Sequence, residues 1–325
     1  MKNAIFICKL FITAILFWSW SCCGEDTHHP IGPPAPTAKE FAQLRNTAFN
    51  NIKQEFSFNT KDGLVTLTTH NGTTITFDAS CLTKNGETIT GTASLEYAEI
   101  FNRGHMLTCH KPTMGNTGNS NISLLLSGGV FNLNAIQGSE PLETSCGYQL
   151  TVPGSLTGGP DNGMTLWNGT INEDDNIVWN ENPMNNEQNG VFIEGSDYFL
   201  LSQNFGWTSI DRFYTDSRPK TTLYVDVPLD YNPSNCAVYI SYNGKPHALA
   251  FLDKYDRATG LFSEHYGQIP VGLECHIILV SEHNGEWTYA IKDETIQADE
   301  VITFTADELA TINEASLISV INNLP

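Results

Sequence analysis

The sequence predicts an all-β chain, built as two antiparallel β-sandwich domains with an α-helix at each end. Three observations support this fold class: apolar and polar residues alternate in many short segments, Gly and Asn clusters separate these segments, and helical patterns occur only near the two ends. The strand patterns follow one another without the helices that parallel β-α-β units need. The length of 325 residues also exceeds what one ordinary core serves, so two domains are expected.

The first residues have the pattern of a secretory signal. Lys2 and Lys9 provide a cationic start, and a short apolar run over residues 10–17 follows them. This run is too short for a membrane-spanning helix, which needs about 20 residues. We therefore predict a signal peptide over residues 1–21.

Two adjacent cysteines end the signal. Ser21-Cys22 resembles a bacterial lipobox, in which a signal peptidase cuts before a cysteine that carries a diacylglycerol. The match is imperfect, because Ser19 stands where Leu is usual. We predict lipid attachment at Cys22, with Cys23 as the alternative. An ordinary secreted protein with two free thiols is the competing interpretation.

The segment after the cysteines is acidic and then rich in proline. Glu25-Asp26 resembles the export signal that sends Bacteroidota lipoproteins to the outer leaflet of the outer membrane. The prolines that follow predict an extended spacer, so residues 22–37 are interpreted as a lipid-anchored tether. The expected location is the outer membrane, with the protein exposed at the cell surface and held there by lipid.

The charge of the chain excludes some partners. The sequence has 16 basic and 36 acidic residues and a net charge of −20. Signal cleavage would remove Lys2 and Lys9, which leaves 14 basic residues against the same 36 acidic ones and a net charge of −22. Such a charge opposes binding to nucleic acid and to anionic lipid surfaces.

A capping box at Thr37 and Glu40 begins the predicted N-terminal helix, since each side chain satisfies a free backbone N–H of the other residue. Apolar residues recur at helical spacing as far as Phe56, and we expect this helix to dock on the first sheet. A hairpin with an Asn-Gly turn follows. These elements predict a first domain over residues 38–216. Its strands are expected at 64–69, 74–77, 88–100, 123–126, 130–135, 149–152, 164–167, 177–179, 191–201 and 204–214.

Residues 217–325 predict a second β-domain. Its strands, about seven in number, are expected at 221–227, 237–242, 247–252, 261–264, 275–281, 287–291 and 301–304. That number over this length is typical of an immunoglobulin-like or transthyretin-like sandwich. A second capping box, Thr305 with Glu308, predicts a closing helix. The docking face of that helix is expected to hold Leu309, Ile312, Leu317, Val320, Ile321 and Leu324.

The cysteines beyond the junction are Cys81, Cys109, Cys146, Cys236 and Cys275. They include no Cys-x-x-Cys pair, so neither a zinc ribbon nor a redox motif is predicted. Cys81, Cys236 and Cys275 lie in apolar, strand-like contexts and are interpreted as small buried residues. An oxidising compartment allows one disulfide, for which Cys109 with Cys146 is the candidate pair.

No motif of a known reaction occurs in the sequence. The nucleophile elbow Gly-x-Ser-x-Gly, the zinc motif His-Glu-x-x-His and a phosphate-binding glycine loop are all missing. We therefore expect no enzymatic activity and assign no catalytic, cofactor-binding or metal-ligating residue. The many acidic residues leave a carboxylate-based, glycan-acting enzyme as the alternative.

His105, Cys109 and His110 are close enough in sequence to form part of a metal site. Alternation on a strand would place His105 and Cys109 on one face and His110 on the other, with Glu99 and His70 elsewhere in the same domain. Loop histidines beside a buried thiol explain the same pattern, and we prefer that interpretation.

Two acidic turns carry oxygen ligands suited to Ca²⁺: Glu173-Asp-Asp175-Asn176 and Asp161-Asn162. Neither has the spacing of an EF-hand loop, so solvated turns are the preferred interpretation. A calcium-stabilised adhesin remains an alternative, and Ca²⁺ is the only cofactor that the sequence brings into question.

The tryptophans offer another kind of binding surface. Trp167, Trp179, Trp207 and Trp287 have ring faces that suit a sugar or a protein partner. The alternation of apolar residues around them favours core packing instead.

Segments in both halves of the chain carry a resemblance to a known family. In the second half they are Gly206-Trp-Thr-Ser-Ile-Asp-Arg-Phe213, Leu249-Ala-Phe-Leu-Asp-Lys-Tyr255, Phe262-Ser-Glu-His-Tyr-Gly267, Ile269-Pro-Val-Gly272, Tyr289-Ala-Ile-Lys292 and Ile321-Asn-Asn-Leu-Pro325. In the first half they are Lys111-Pro-Thr-Met-Gly115, Ser127-Gly-Gly129 and Leu156-Thr-Gly-Gly159. Together they resemble an uncharacterised family of two-domain Bacteroidota outer-membrane lipoproteins. The resemblance implies an envelope location and a two-part β architecture, and it implies no activity.

The sequence thus predicts a surface-anchored lipoprotein with a non-enzymatic binding or adhesion role. Its expected partners are the membrane, through the lipid, and either a glycan or an envelope protein. Nucleic acid is not an expected partner.

Overall fold

The computed structural model describes residues 32–118, 121–184, 186, 188–264 and 267–325. The predicted signal peptide and the lipidation candidates Cys22 and Cys23 lie outside these residues. In the described part of the chain, no helix has the length and apolar character needed to cross a membrane. The described residues are predominantly β-strand, with short helices near the ends and after one strand, which confirms the all-β prediction.

The helices are α1 (Ala38–Asn51), α2 (Arg103–Thr108) and α3 (Glu314–Asn322). The N-terminal region, residues 38–213, contains β1 (Gln54–Asn59), β2 (Leu64–Thr68), β3 (Thr74–Asp78), β4 (Leu82–Lys84), β5 (Glu87–Thr88), β6 (Thr92–Ile100), β7 (Met114–Asn116), β8 (Ile122–Gln137), β9 (Glu140–Thr144), β10 (Tyr148–Pro153), β11 (Thr165–Ile171), β12 (Ile177–Glu181), β13 (Gly190–Glu194), β14 (Asp197–Ser202) and β15 (Gly206–Phe213). The C-terminal region, residues 220–325, contains β16 (Lys220–Thr221), β17 (Tyr224–Asp226), β18 (Cys236–Tyr242), β19 (Ala250–Phe251), β20 (Lys254–Asp256), β21 (Leu261–Ser263), β22 (Ile269–Pro270), β23 (Glu274–His283), β24 (Glu286–Thr295), β25 (Val301–Thr303) and β26 (Ala310–Ile312).

The main sheets form four layers. In the N-terminal region, an outer sheet with the strand order β13-β14-β10-β3-β2 faces an inner ten-stranded sheet whose longest strand is β8. In the C-terminal region, an inner sheet ordered β19-β18-β23-β24-β26 faces an outer sheet ordered β20-β21-β17-β25. Among the described strands, no ladder joins the N-terminal region to the C-terminal region.

Three cores separate these four layers. The N-terminal core lies between the first two sheets, and the C-terminal core lies between the last two. The central core joins the two regions and includes Trp167, Trp179 and Trp287 together with residues of all three helices. The two inner sheets therefore contribute side chains to cores on both of their faces.

Strand β18 illustrates this double burial. Val238 and Ile240 point into the C-terminal core, whereas Ala237 and Tyr239 point into the central core. Every residue of the strand is buried. A strand with two buried faces lacks the apolar–polar alternation of a half-exposed strand, and this explains the continuous apolar run in the sequence.

The N-terminal helix begins as predicted but docks elsewhere. Thr37 and Glu40 form both hydrogen bonds of the capping box. Phe41 then packs edge-on against Trp287 of the C-terminal region, with 6.2 Å between ring centroids. Farther along the helix, Phe49 contacts Trp207 of the inner N-terminal sheet. The expectation that α1 docks on the first sheet is therefore correct only in part, because its buried face fills the central core between both regions.

The closing helix begins later than predicted. Thr305 and Glu308 do form a capping box, but the turn that it caps is a short 3₁₀ segment. Strand β26 follows and pairs with β24, with Ile312 opposite Trp287. Helix α3 begins only at Glu314, where Asn313 caps it. Leu309 and Ile312 therefore do not belong to the helix, whereas Leu317 and Ile321 are its buried residues.

Several predicted strand patterns differ from the observed strands, two of them in how strands are joined or divided. The predicted strands 123–126 and 130–135 are one long strand, β8, which passes through Gly129 at a φ of 140°. The predicted strand 191–201 is instead the hairpin of β13 and β14, which turns at Gly195. The first predicted hairpin is confirmed, with β2 and β3 in antiparallel register.

The disulfide joins Cys81 to Cys146, and Cys109 is a buried free thiol. The predicted pair of Cys109 with Cys146 is therefore wrong, as is the interpretation of Cys81 as a small core residue. Cys81 ends a short 3₁₀ turn immediately before β4, and the pairing of β4 with β9 brings it beside residue 145. Cys236 and Cys275 are buried free thiols, as predicted.

The described end of the predicted tether lies against the C-terminal region. The Tyr231 hydroxyl donates to the Pro33 carbonyl at 3.0 Å, and the Asn235 amide donates to the Pro36 carbonyl at 3.0 Å. A Cβ atom on Gly32 would collide with the Ala306 carbonyl oxygen. Residues 32–37 are thus docked onto the body of the protein and do not act as a free spacer.

Candidate functional site

A cleft of about 890 Å³ lies at the junction of the two regions, and we call it the seam cleft. The N-terminal region contributes Arg45 from α1, His110 after α2, and residues 173–176 from the turn between β11 and β12. The C-terminal region contributes residues 232–234, 236 and 237 at the start of β18 and residues 251–255 and 257 around β19 and β20. Neither region could form this cleft alone.

His110 lines the cleft and has an unusual, left-handed backbone conformation. Its φ of 51° is left-handed, and it follows the last residues of α2. The His110 N–H donates to the Leu107 carbonyl and the Lys111 N–H to the Met106 carbonyl, which is the Schellman pattern of a helix end. Gly or Asn usually occupies this position because a Cβ disfavours the conformation. His110 therefore adopts a costly conformation that its side-chain contacts must offset.

Those side-chain contacts join the two regions. The His110 ring is only 2 % exposed. Its Nε2 lies 2.8 Å from Oδ1 of Asn176, and its Nδ1 lies 2.5 Å from the hydroxyl of Tyr239 in β18. Since the Asn176 oxygen only accepts, the Nε2–H is the donor and Nδ1 accepts from Tyr239. Burial, together with the nearby charges of Arg45 and Lys111, lowers the pKa of His110 well below its usual value, so the ring is neutral.

Lys111 is an unusually buried cation beside this histidine. The residue is only 8 % exposed. The Lys111 ammonium lies 5.3 Å from the ring centroid of Trp207 and 6.0 Å from that of Phe49. The ammonium also donates to the His110 carbonyl, and burial lowers the pKa of Lys111. The Lys111 ammonium therefore packs next to His110, which lines the cleft.

Arg45 presents a guanidinium to the cleft itself. The guanidinium carbon lies 4.6 Å from the centroid of the Phe41 ring, one turn earlier on α1. Its Nε is buried, and no partner for a hydrogen bond lies within reach among the described residues. A buried guanidinium N–H without a partner is costly and is normally satisfied by water or by a ligand. Arg45 is therefore the clearest unsatisfied donor in the cleft.

The opposite wall is an acidic turn held in shape by one asparagine. The Asn172 side-chain oxygen accepts from the N–H groups of Asp174 and Asn176, both at 3.0 Å. Asp175 takes a left-handed φ of 61°. This Asx-type turn points the side chains at 173–175 outward and keeps Asn176 against His110.

The charges around the cleft nearly balance. Its acidic lining residues are Glu173, Asp174, Asp175 and Asp253, and its basic lining residues are Arg45, Lys254 and Arg257. This balance contrasts with the chain as a whole, in which 36 acidic residues face 16 basic ones. The cleft is therefore suited to a polar ligand of low net charge.

The seam cleft continues into a neighbouring cavity of about 330 Å³. Asp174, Asn176, Phe251, Asp253 and Lys254 line both spaces. The combined groove follows the junction between the regions, and Phe251 lines both of its parts. An elongated ligand fits such a groove better than a compact one.

The proposed metal ligands do not come together. His105 lies in helix α2 rather than on a strand, and its Nδ1 is 3.0 Å from the Asn102 amide. Cys109 and His110 are both buried, and Glu99 accepts hydrogen bonds from Thr69 and Asn71 in the turn between β2 and β3 and from Tyr97 on its own strand. In the described parts of the chain, no group of three or more His, Cys, Asp or Glu residues is arranged to hold a metal ion.

The two acidic turns considered for Ca²⁺ have different roles. Asp161 pairs with Arg212 at 2.6 Å and accepts the N–H of Gly163, and both contacts lower its pKa. The turn at 173–176 lies instead on the wall of the seam cleft. Of the two turns, only the one at residues 173–176 lies at the candidate site. It was considered for Ca²⁺, whereas here it forms one wall of a polar cleft.

The tryptophan interpretation is confirmed for three of the four residues. Trp167, Trp179 and Trp287 are fully buried in the central core. Trp207 is partly buried and packs edge-on against Trp179. None of the described residues that line the seam cleft is a tryptophan.

Sequence reasoning missed Arg45, Tyr239, Phe251 and Asp253 as site residues. They come from segments that lie far apart in the chain and meet only because the two regions pack together. One local signal existed at His110, where a short helix ends without the usual glycine. The missing glycine can be noticed only when the end of the helix is already known.

Comparison with known proteins does not identify this site. No protein-family model matches the chain. A search of the curated proteins also finds no match. A proposal for its function therefore has to rest on the sequence and on the geometry of the candidate site.

Proposed function

We propose that this protein is a lipid-anchored, surface-exposed outer-membrane lipoprotein that binds an oligosaccharide in the seam cleft without transforming it. The observation that carries the proposal is the cleft itself: a groove between two regions, lined by closely spaced polar groups of nearly balanced charge. Its volume of about 890 Å³ lies within the usual range for ligand sites, roughly 300–1,000 Å³.

The lining groups match the surface of a sugar chain. Carboxylates and amides accept hydrogen bonds from hydroxyl groups, and the Arg45 guanidinium donates to them. Phe251 and Tyr255 supply aromatic rings on which the apolar face of a sugar ring can rest. The low net charge disfavours strongly anionic or cationic ligands.

An envelope protein is the other expected partner, and it has less support. A stable protein interface covers about 800 Å² on each partner and usually has an apolar centre. The large hydrophobic side chains that the described residues expose are scattered along the chain: Leu64, Ile171, Met184, Phe192, Leu229 and Val301. A protein partner would therefore have to bind mainly through polar contacts.

The proposed location rests on the sequence and on one structural feature. The Cys81–Cys146 disulfide fits an oxidising compartment outside the cytoplasm. The proposal keeps the division into a domain over residues 38–216 and a second over 217–325, with an immunoglobulin-like or transthyretin-like sandwich for the second. It also keeps the membership of the uncharacterised Bacteroidota lipoprotein family, for which the lipobox-like junction is the main support.

The anchor has a direct test with a matched control. Cys22→Ser should release the protein from the membrane fraction into the soluble fraction, whereas Cys23→Ser should leave it membrane-bound. Mass spectrometry of the mature N-terminal peptide should find acyl chains on residue 22. The reverse result would assign the lipid to Cys23, and release by neither variant would contradict lipid anchoring.

The ligand proposal is tested by glycan binding. Protein without residues 1–23, which retains every described residue, is screened on an array of neutral and acidic oligosaccharides, and hits are measured by titration calorimetry. Arg45→Gln should weaken binding about tenfold or more, the effect of losing one strong hydrogen bond. Lys39→Gln, at an exposed position of the same helix, should bind as the unmodified protein does. Absence of any oligosaccharide hit would overturn the proposal.

A carboxylate-based glycan hydrolase is the second candidate function. Asp174 and Asp253 approach the groove from opposite regions and line both of its cavities. Glycosidases place two carboxyl groups on either side of the bond that is cut. If an oligosaccharide that binds is also cleaved, and Asp253→Asn abolishes cleavage but not binding, the protein is a glycan hydrolase and not a non-enzymatic binding protein.

A further inference from the structure

Arg45 differs from the other partly or fully buried arginines of the described chain, because it has no acceptor. Arg103 donates to carbonyl and hydroxyl groups, and Arg212 and Arg218 each pair with an aspartate. Arg45 makes no ion pair and no hydrogen bond with any described residue, although the sequence has 36 acidic residues. Charged groups removed from water are normally paired, so an unpaired guanidinium in a cleft indicates a place for an anionic group.

The Arg45 guanidinium is held in position by an aromatic ring. It lies 4.6 Å from the centroid of Phe41, which is itself fully buried and packs against Trp287. The Nε is enclosed by the protein, so the two terminal nitrogens are the donors that the cleft exposes. A guanidinium offers its N–H groups as a rigid planar fork that matches the two oxygens of a carboxylate. Arg45 is therefore arranged in advance for such a group.

The charges beside Arg45 and His110 are positive, although the protein as a whole is acidic. Burial lowers the pKa of His110 most, and the charges of Arg45 and Lys111 lower it further, with no carboxylate of the described residues acting in the opposite direction. Asp175 acts on Lys111 but makes no ion pair with it. The acidic side chains at 173–175 are exposed, so water screens their charges.

We propose that the Arg45 end of the seam cleft, formed by Arg45 and His110, binds one carboxylate of the ligand, so that the preferred glycan carries a uronic acid or another sugar acid. This inference rests on the proposed glycan binding and names the class of glycan. The remainder of the groove receives the hydroxyl groups of the chain. Since four acidic and three basic residues line the cleft, further negative charges on the ligand would be repelled.

Three small probes test the carboxylate and the sugar ring separately. Glucuronate has both, its methyl ester has the ring without the charge, and acetate has the charge without the ring. Protein without residues 1–23 is titrated with each at constant ionic strength, and binding is followed by ligand-observed NMR. Glucuronate should have a dissociation constant about tenfold or more below those of the other two, the effect of one charge-assisted hydrogen bond. Equal binding of the ester or of acetate would overturn the proposal.

Variants of helix α1 locate the carboxylate. Arg45→Gln should remove the preference for glucuronate over its methyl ester. Arg45→Lys keeps the charge but not the planar fork, so its preference should be intermediate. Lys39→Gln makes the same charge change as Arg45→Gln at an exposed position of the same helix and should keep the full preference. The melting temperature shows that each variant is folded. An undiminished preference in both Arg45 variants would contradict the proposal.

The carboxylate subsite and the proposed function can fail separately. An acidic oligosaccharide that binds should lose about tenfold in affinity when its carboxyl group is reduced to an alcohol. Oligosaccharide binding that is unchanged by this reduction would overturn the carboxylate subsite and leave the proposed function. Glucuronate binding that depends on Arg45, without binding of any oligosaccharide, would support the subsite and overturn the proposed oligosaccharide binding.

Discussion

Asp211 has an ionisable carboxyl group at a fully buried position, where a charge is unfavourable. Its side chain is fully buried at an irregularity of β15, where the pairing register with β8 shifts. The Ser209 hydroxyl donates to one carboxyl oxygen at 2.6 Å, and the other oxygen has no hydrogen-bond partner among the described residues. Burial raises the pKa of Asp211 to about 7, and nearby hydroxyl groups offset only part of this effect.

Replacing Asp211 should therefore change how stability depends on pH. Between pH 3.8 and about 7 the folded protein holds a proton at Asp211 that the unfolded chain has released. The free energy of unfolding consequently falls as pH rises through this range, by up to about 1.4 kcal/mol per unit. Asp211→Asn removes this loss, so it should be more stable than the unmodified protein at pH 8 and similar to it near pH 4. Urea unfolding at several pH values measures the difference.

The comparison must use the difference between variants, because His110 acts in the opposite direction. Its pKa is lowered in the folded protein, so its contribution is lost as pH falls below about 6.5. That contribution is common to both proteins and cancels in the difference. Glu55→Gln at an exposed position serves as the control, with no change in the pH profile expected. An Asp211→Asn difference that is constant from pH 4 to 8 would show that Asp211 is charged throughout.

At the scale of elements, α3 is held by one buried arginine. Arg103 in α2 is 1 % exposed, and its guanidinium donates to the carbonyl groups of Ile321, Leu324 and Pro325 and to the Ser241 hydroxyl. Carbonyl groups at a helix C-terminus lack partners within the helix and carry partial negative charge, so a cation is favoured there. Arg103 thus connects α2, α3 and the inner C-terminal sheet.

Arg103→Lys should loosen α3, because an ammonium cannot make the branched set of hydrogen bonds that a guanidinium makes. We expect the free energy of unfolding to fall by on the order of 3 kcal/mol. Limited proteolysis should then cut near residue 313 before the rest of the protein. Arg212→Lys, in a partly exposed pair with Asp161, is the matched control and should cost less than about 1 kcal/mol. Equal losses in the two variants would contradict the role of Arg103.

The cysteines allow a further prediction about individual elements. Protein without residues 1–23 retains Cys81, Cys109, Cys146, Cys236 and Cys275. Burial raises the pKa of Cys109 to about 12 and protects it, and the other free thiols are also buried. Alkylation should therefore label no cysteine in the folded protein, three after unfolding, and five after unfolding with a reductant. Mass spectrometry counts the labels, and labelling of Cys146 without reductant would contradict the Cys81–Cys146 bond.

The elements also show what sequence reasoning can and cannot provide. The capping boxes at Thr37 and Thr305 look alike, yet the first begins a helix of 14 residues and the second caps a 3₁₀ turn. The difference is not local, because residues 310–312 pair with β24 and leave the helix to begin at Glu314. Local patterns therefore predicted the all-β class and the first hairpin, but not the bounds of several strands, nor the choice between helix and strand where another strand competes.

The site could be predicted even less than the fold. The sequence singled out His110 and residues 173–176 as candidate metal ligands, and both groups do line the cleft. Their partners Arg45, Tyr239 and Asp253 stand in segments that carry no motif of a binding site. Only the packing of the two regions brings them together, and spacing along the chain does not encode it.

At the scale of the whole molecule, the four sheet layers define two opposite ends. The docked residues 32–37 lie on the C-terminal region, with Gly32 against Ala306 and Pro33 bonded to Tyr231. Ala306 follows β25, which pairs in parallel with β17 in the outer C-terminal sheet. The chain therefore enters the body near the outer C-terminal sheet, and the outer N-terminal sheet lies at the far end. Leu229, in the loop after β17, is 87 % exposed at the entry end.

If the lipid is attached at Cys22, this arrangement orients the protein on the membrane. The free linker then comprises only residues 22–31, and about 3.4 Å per residue limits its reach to roughly 35 Å. The outer C-terminal sheet should face the bilayer, and the outer N-terminal sheet should point away from it. Fluorescent labels at Leu229→Cys and at Leu64→Cys, on the edge strand β2, report the two ends.

The experiment uses the lipidated protein in vesicles that carry a quencher on their lipid headgroups. A Cys23→Ser background removes the other accessible thiol, and the free thiols among the described residues are buried. The label at position 229 should be quenched more strongly than the label at position 64, because the docked tether holds that end near the bilayer. The same proteins with Cys22→Ser should show no quenching at either position. Equal quenching at both positions in the lipidated protein would mean that residues 32–37 leave the body on the membrane, and that the body tumbles on a longer free linker.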